Sequence, residues 1–359
     1  MDSEAKTMTA VLTTGSGGIE LRRIAVPQPG PEQVLVKVIV AAQNPTDWKT
    51  VINFKRKGNV VGCEFAGVVA LVGENVKAEE VQVGQRVTGC VHGSIKPNGA
   101  FAEYLVAPSH LLIKLPDHLS FEQAAQVTIA STTAYCCLYQ ALSLPLPSDS
   151  TTPVTGSLLI WGGNTSVGRL TIQLAKMSGL QRIISTSSPQ NFDSLRKLGA
   201  TDVFDYRDPL AGEKIHLCTS GSLCMAVDCI SEGTTPYQVS TALSAAGGTI
   251  ATVNPYVSRK NGIETILTLV YTMLGNAFEF PIVYEPDPRQ VEIGKRICQT
   301  VAVLLAGQQI QLGPVKIIPR GLVGVAEGFE FMKRGAVTGE KIVYRIADTP
   351  ALDFIDAVL

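Results

Sequence analysis

The chain has 359 residues, enough for two domains, with 30 Lys and Arg against 31 Asp and Glu and a formal charge of −1. That balance excludes a protein that holds nucleic acid or a membrane surface through bulk positive charge. Charged residues are 17% and apolar ones 45% of a chain long enough to bury a core without disulfide staples. The eight Cys and four His pose the first chemical question: metal, disulfide, catalytic thiol or small core residues.

The N-terminal MDSEAKTMTAV has no apolar run after a basic start, so no secretory leader is expected, and the cysteines are expected to stay reduced in the cytoplasm. Residues 1–110 read as β-rich. Val34 to Val40 is a β-branched run after Pro27, Pro29, Gly30 and Pro31; Val60 to Val72 is another, and Ala100 to Val106 follows a Pro97-Asn98-Gly99 turn. Phe121 onward reads as helical, with Ser120 as N-cap and Gln123 three residues later. No charge occurs between Glu122 and Asp149, but Gln123, Gln126, Gln140, Pro145 and Pro147 argue for a buried helix, not a membrane span.

The Pro/Ser/Thr-rich stretch from Pro145 to Gly156 reads as a domain junction. Strands and helices then alternate. Strands are expected at Ser157–Ile160, Gln181–Ser185, Val203–Phe204, Met225–Ile230 and Gly248–Val253, with helices at Arg169–Met177 and Asn191–Leu198. This is the pattern of a doubly wound parallel sheet. Leu269 to Leu274 reads as extended, Pro288 to Ala306 as one helix and Lys341 to Ile346 as a closing strand.

Between the first of those strands and its helix lies Gly162-Gly163-Asn164-Thr165-Ser166-Val167-Gly168. Glycines there allow a tight turn and close approach of a diphosphate, and a helix start offers N–H groups to the anion. Asn164, Thr165 and Ser166 add side-chain donors. NAD enzymes place a carboxylate about 20 residues past the glycines. Ser185 to Asn191 holds no acid, so a 2′-phosphate meets no repulsion there and NADP(H) is favoured.

Several further motifs run along the chain: Asn44-Pro45-Thr46-Asp47-Trp48-Lys49, Gly62-Cys63-Glu64-Phe65-Ala66-Gly67, Val83-Gly84-Gln85-Arg86-Val87, Gly99-Ala100-Phe101-Ala102-Glu103-Tyr104, Ser131-Thr132-Thr133-Ala134-Tyr135 and Gly339-Glu340-Lys341-Ile342-Val343. Together they resemble the medium-chain dehydrogenase/reductase superfamily. Ser188 to Asp193, Val203 to Arg207 and Leu144 to Ser148 are similar to its fungal trans-acting enoyl reductases, the partners of polyketide synthases. The resemblance implies an α/β protein: a GroES-like β-rich catalytic domain (1–153 and 306–359) and a Rossmann NADP(H)-binding domain (154–305).

Zinc members of that superfamily carry metal ligands where this sequence has Asn44, Cys63 and a residue near Ile129. An amide, one thiol and an aliphatic side chain do not make a three-ligand catalytic site, so no metal is expected. That directs the reading to reduction of an activated alkene. The implied cofactor contacts are Thr46, Asp47, Trp48, Lys49, Asn164, Thr165, Ser166, Val167, Ser188, Pro189, Gln190, Asn191, Tyr206, Val253, Asn254, Gly339 and Lys341. Lys49 and Thr133 are the expected catalytic groups, with Lys49 equally readable as a nicotinamide-ribose ligand. Ser131, Thr132, Thr133, Leu274, Gly275 and Phe278 are expected to line an acyl pocket. The implied reaction is NADPH-dependent reduction of an α,β-unsaturated thioester on a polyketide synthase or its acyl-carrier domain, with no membrane or nucleic-acid partner. Two alternatives stay open: a stand-alone quinone or enone reductase, and a reductase-like binding protein. Cys63 reads as a small buried residue, and His92 reads as a surface loop residue.

Overall fold

The computed structural model describes residues 7–147, 153–351 and 357–358. Ser148 and the middle of the Ser/Thr-rich junction lie outside the described residues. The chain forms two compact units. One comprises Met1–Ile129, Tyr271–Gln309 and Gly313–Leu359; the other comprises Ala130–Val270 with Ile310–Leu312. These limits differ from the expected 153/154 and 305/306. The Pro288–Ala306 helix packs with the first unit: Gly294 lies against Leu111 and Met273, and the His110 ring is 3.1 Å from the Met273 carbonyl.

The first unit is built on the Gln33–Ala42 strand. It pairs antiparallel with Glu64–Val72, Tyr104–Pro108 and Lys341–Arg345. Its buried residues, among them Val34, Val36, Val38 and Ala41, face Phe65, Phe101, Leu105 and Tyr344 in one apolar core. A Cβ at Gly67 would run into the Lys37 carbonyl, so glycine there lets the two central strands close. A second sheet joins Thr7–Thr14, Ile19–Ala25 and Lys57–Val60. The Val60–Val72 run is therefore two strands. Gly62, at φ +93, turns the chain between them. The expected Ala100–Val106 strand starts later, at Tyr104, because Ala100 and Phe101 donate their N–H groups to Gly62 and Val61.

The second unit is a six-stranded parallel sheet in the spatial order Asp202–Asp205, Leu180–Ser187, Val154–Trp161, Met225–Asp228, Gly248–Thr252, Ile263–Leu267. Numbered along the chain this is 3-2-1-4-5-6, the doubly wound order whose direction reverses at its first strand. The expected strands and the Ser166–Met177 and Phe192–Leu198 helices are all present. Leu159, Trp161, Ile184, Ala226 and Ile250 of the sheet form a core with Ala211 and Ile215 of the Ala211–Cys218 helix and Val239 and Ala242 of the Thr235–Ala242 helix.

The 269–274 stretch departs from its expected form. Val270–Leu274 is a 3-10 helix, not extended. Tyr271 and Met273 are buried while Thr272 and Leu274 are half-buried, an alternation that a five-residue apolar run shares with a strand. The helical stretch from Phe121 breaks into Phe121–Ala124, Thr128–Tyr135 and a π-helix at Cys136–Ala141. The Ser120 cap forms as expected, its hydroxyl accepting from the Gln123 N–H.

Candidate active site

In the second unit the glycine loop follows the sheet's central strand, Val154–Trp161. The Thr165 hydroxyl caps the Ser166–Met177 helix by accepting from the Gly168 N–H at 2.9 Å. A Cβ at Gly168 would strike the Gly162 carbonyl, and one at Gly163 would strike the Ser185 hydroxyl. The loop is thus closed down on the sheet, with the helix start directed at it. Arg169, half-buried, donates from Nη1 to Asn164 Oδ1 and Ser194 Oγ, both at 3.2 Å, while its Nε is buried without a partner among the described residues. A cation with a spare donor beside a glycine loop suits an anionic diphosphate. Arg169 directly follows the motif's last glycine, Gly168.

Ser188 to Asn191 lies at the carboxyl end of the Leu180–Ser187 strand, with Pro189 and Gln190 exposed. Tyr206 is exposed at the end of the next strand, beside Arg207, whose guanidinium is engaged by Asp205. Val253 donates its N–H to Ser231 Oγ, and the Asn254 amide donates to Ile230 O and Glu232 Oε1. Ser131, Thr132 and Thr133 are buried in the Thr128–Tyr135 helix. This unit carries the residues that would hold a dinucleotide, and their chemistry fits one.

In the first unit, Thr46, Asp47, Trp48 and Lys49 form the first turn of the Pro45–Phe54 helix. Asp47 reaches back to accept the Asn44 N–H at 2.7 Å. The Lys341 ammonium lies 2.6 Å from Asn44 Oδ1 and 2.7 Å from Glu64 Oε2. Glu64 is fully buried; it also accepts from Asn44 Nδ2 at 3.0 Å and from the Ile129 N–H at 2.7 Å. A buried carboxylate needs this many donors. Lys341 thus joins Asn44 and Glu64, a link no spacing reveals across nearly 300 residues. Gly339, at φ +96, turns the chain two residues before it.

Burial pushes the Asp47 carboxyl up to about 7, against the pull of the Asn44 N–H, the Cys63 thiol and Lys341. Burial also raises Cys63, so its sulfur stays a thiol. The Tyr271 hydroxyl sits 3.3 Å from Cys63 Sγ and 3.4 Å from Thr46 Oγ1. His92 corrects the sequence reading: it is buried, not on the surface. Its ring stacks on Tyr271 at 3.8 Å and meets the edge of Phe278 at 5.0 Å. Burial, then the charges of Lys96 and Arg56, push it down to about 3. Leu274 and Gly275 are half-buried. Lys49 is half-buried, its ammonium 5.7 Å from the Trp48 ring centroid, and burial lowers its proton affinity.

Residues 30–117 match the family described as alcohol dehydrogenase GroES-like domain, and residues 166–270 match zinc-binding dehydrogenase. The trans-enoyl reductase ACTTS2 of Alternaria alternata is 35% identical over 345 residues, covering 95% of this chain and 99% of its own length. The trans-enoyl reductase thnE of Trichoderma harzianum is 36% identical over 355 residues, covering 94% and 96%. The chain belongs to the trans-enoyl reductases of the medium-chain dehydrogenase/reductase superfamily. A mycobacterial protein solved in complex with NADPH shares the fold, with a TM-score of 0.73 at 20% identity over 94% of this chain and 99% of that one.

This enoyl reductase is an oxidoreductase that uses a nicotinamide cofactor. The zinc in one family's description does not fit its residues. The Asn44 oxygen is occupied by an ammonium, Ile129 offers only an N–H, and Lys341 itself repels a cation, which leaves Cys63 a lone thiol. Among the described residues no group of three His, Cys, Asp or Glu could hold a metal ion, and no helix is long and apolar enough to cross a membrane.

Proposed function

We propose that this chain is an NADPH-dependent, trans-acting enoyl reductase. Its substrate is an α,β-unsaturated thioester carried by the acyl-carrier domain of a polyketide synthase, in the cytoplasm. The observation that carries the reading is chain-long identity of 35–36% to trans-enoyl reductases. Support for the 2′-phosphate comes from Ser187 to Asn191, hydroxyls and amides with no carboxylate.

Bound NADPH supplies the hydride. Asn164 to Val167 and Arg169 would hold the diphosphate, and Ser188 to Asn191 and Tyr206 the adenosine end; Val253 and Asn254 follow the fifth strand of the same sheet. In the first unit, Thr46 to Lys49 and the Gly339–Lys341 segment carry the remaining residues assigned to the cofactor. Hydride addition at the β-carbon leaves an enolate, which needs donors at its oxygen and a proton at its α-carbon. Lys49 and Thr133 carry the donor groups assigned to that oxygen. Ser131, Thr132, Leu274, Gly275 and Phe278, uncharged throughout, suit an acyl chain.

The test is steady-state NADPH oxidation by the purified protein, with a but-2-enoyl thioester and a small quinone as alternative substrates. Turnover of the thioester supports the reading, and turnover of quinone alone replaces it with a stand-alone quinone reductase.

A further inference from the structure

The sheet of the second unit reverses its order between its first strand and its fourth, and in doubly wound sheets a dinucleotide lies across the crevice that this reversal opens at the carboxyl ends. Asp228 is the last residue of the fourth strand and pairs in register with Trp161, the last residue of the first. It is fully buried, where a carboxylate is costly unless several donors meet it. One oxygen, Oδ1, accepts the N–H groups of Ile230 at 3.0 Å and Ser231 at 2.8 Å; the other, Oδ2, accepts the hydroxyls of Thr235 at 2.9 Å and Tyr256 at 3.2 Å. These donors belong to the loop after the fourth strand, the start of the Thr235–Ala242 helix and the loop after the fifth strand. Ser231, whose backbone is left-handed at φ +55, ties the two loops together. Its hydroxyl donates to the Asp228 carbonyl at 2.8 Å and accepts the Val253 N–H at 3.1 Å, and the Asn254 amide donates to the Ile230 carbonyl at 3.2 Å. Ile230 in turn rests on the glycine loop: a Cβ at Gly162 would lie 2.9 Å from Ile230 Cγ1, and Cys229 donates its N–H to the Trp161 carbonyl at 3.0 Å. A non-glycine residue in that left-handed region persists only where its surroundings fix it, and such residues gather at ligand sites. Packing of the sheet rests on apolar residues such as Leu159, Ala226 and Ile250. What Asp228 adds is the placement of the loops at the strand ends.

We infer that Asp228 is a positioning residue for the half of the dinucleotide over the fourth and fifth strands: it holds Ile230 against the glycine loop and, through Ser231, holds Val253 and Asn254 beside it. The inference rests on the NADPH reading. The adenosine half falls on the other side of the reversal, where Ser188 to Asn191 and Tyr206 follow the second and third strands. The Asp228 carboxylate bonds to Ile230, Ser231, Thr235 and Tyr256, so its loss reaches one half of the cofactor and spares the other.

Calorimetric titration of the full chain with NADPH and with adenosine 2′,5′-bisphosphate, which carries the adenosine end alone, separates the two halves. Asp228→Ala is expected to weaken NADPH binding about 10-fold and to leave binding of the bisphosphate within about 2-fold. A role confined to stability moves both ligands alike. Asp228→Asn is expected to stay near the wild type, because its oxygen still accepts the two N–H groups and its amide donates to two hydroxyls that also accept. If Asp228→Ala does not fold, Ser231→Ala, which keeps the carboxylate and deletes the acceptor of the Val253 N–H, is expected to show the same split at about 3-fold. Unchanged NADPH affinity in the variant assayed, or an equal loss of both ligands, overturns the positioning role alone. A wild type that binds neither ligand overturns the NADPH reading and the inference together.

Discussion

His92 lies flat on Tyr271, their ring centroids 3.8 Å apart and planes 7° from parallel, and neither ring nitrogen of His92 has a hydrogen-bond partner among the described residues. The imidazole is therefore held neutral. Its proton affinity is pushed down to about 3 by burial and by the Lys96 and Arg56 charges, from 6.5 in the unfolded chain. Between those values the unfolded chain binds a proton that the fold excludes, so stability is lost as pH falls from about 6.5 towards 3. At pH 4 the loss from this group is on the order of 3 kcal/mol. His92→Phe keeps the stack and removes the titration. Urea unfolding at pH 4 and pH 7 checks it: the difference between the two pH values shrinks in the variant, and an unchanged difference contradicts the assignment.

Asp47 has the opposite sign. Its carboxyl is raised from 3.8 to about 7 by burial, with Asn44, Cys63 and Lys341 opposing and Glu64 adding to the rise. Between those values the folded chain holds a proton that the unfolded chain has released, so stability falls as pH rises from about 4 to about 7. Asp47→Asn, which retains an oxygen for the Asn44 N–H, gains up to about 4 kcal/mol over the wild type at pH 8 and almost nothing at pH 4. Because His92 and Asp47 pull in opposite directions across pH 4 to 6.5, the wild-type profile is flatter there than that of either variant. Unfolding free energies at four pH values across the range test both together.

Lys341 and Glu64 are each nearly inaccessible, at 5% and 0% exposure, and each is the other's charge partner. Lys341→Ala leaves the Glu64 carboxylate with two uncharged donors, Asn44 Nδ2 and the Ile129 N–H. The expected loss is about 3–5 kcal/mol. Lys341→Met combined with Glu64→Gln recovers most of it, because no uncompensated charge remains. Urea midpoints of the three proteins decide; equal midpoints for wild type and Lys341→Ala mean the pair contributes nothing.

Lys49 stands beside the Trp48 ring, which the Lys333 ammonium also approaches at 5.9 Å. If Lys49 stabilises the developing enolate, Lys49→Ala lowers kcat about 10²-fold and changes the NADPH dissociation constant by less than about 3-fold. Fluorescence titration and steady-state kinetics separate the two roles. Equal losses in both make Lys49 a cofactor ligand only.

Much of this was legible in the sequence for physical reasons. The β-branched run at Val34–Val40 and the alternation after Ser157 carry the period of their elements, and the Gly162–Gly168 loop carries the turn chemistry that a diphosphate requires. The Ser120 cap was legible because its donor is three residues away. What the sequence hid depends on distant partners. Lys341 reads as a strand residue until Asn44 and Glu64 are brought to it. His92 reads as a loop residue until residues 271–280 place three aromatic rings around it. Tyr271 sits in an apolar run whose five residues do not distinguish a strand from a 3-10 turn.

The most direct test of the central claim is mass spectrometry of an acyl-carrier domain loaded with a but-2-enoyl chain and incubated with this enoyl reductase. With NADPH the chain is expected to gain two hydrogens, with NADH far more slowly. A chain left unsaturated under both cofactors, or saturated equally fast with NADH, contradicts the account.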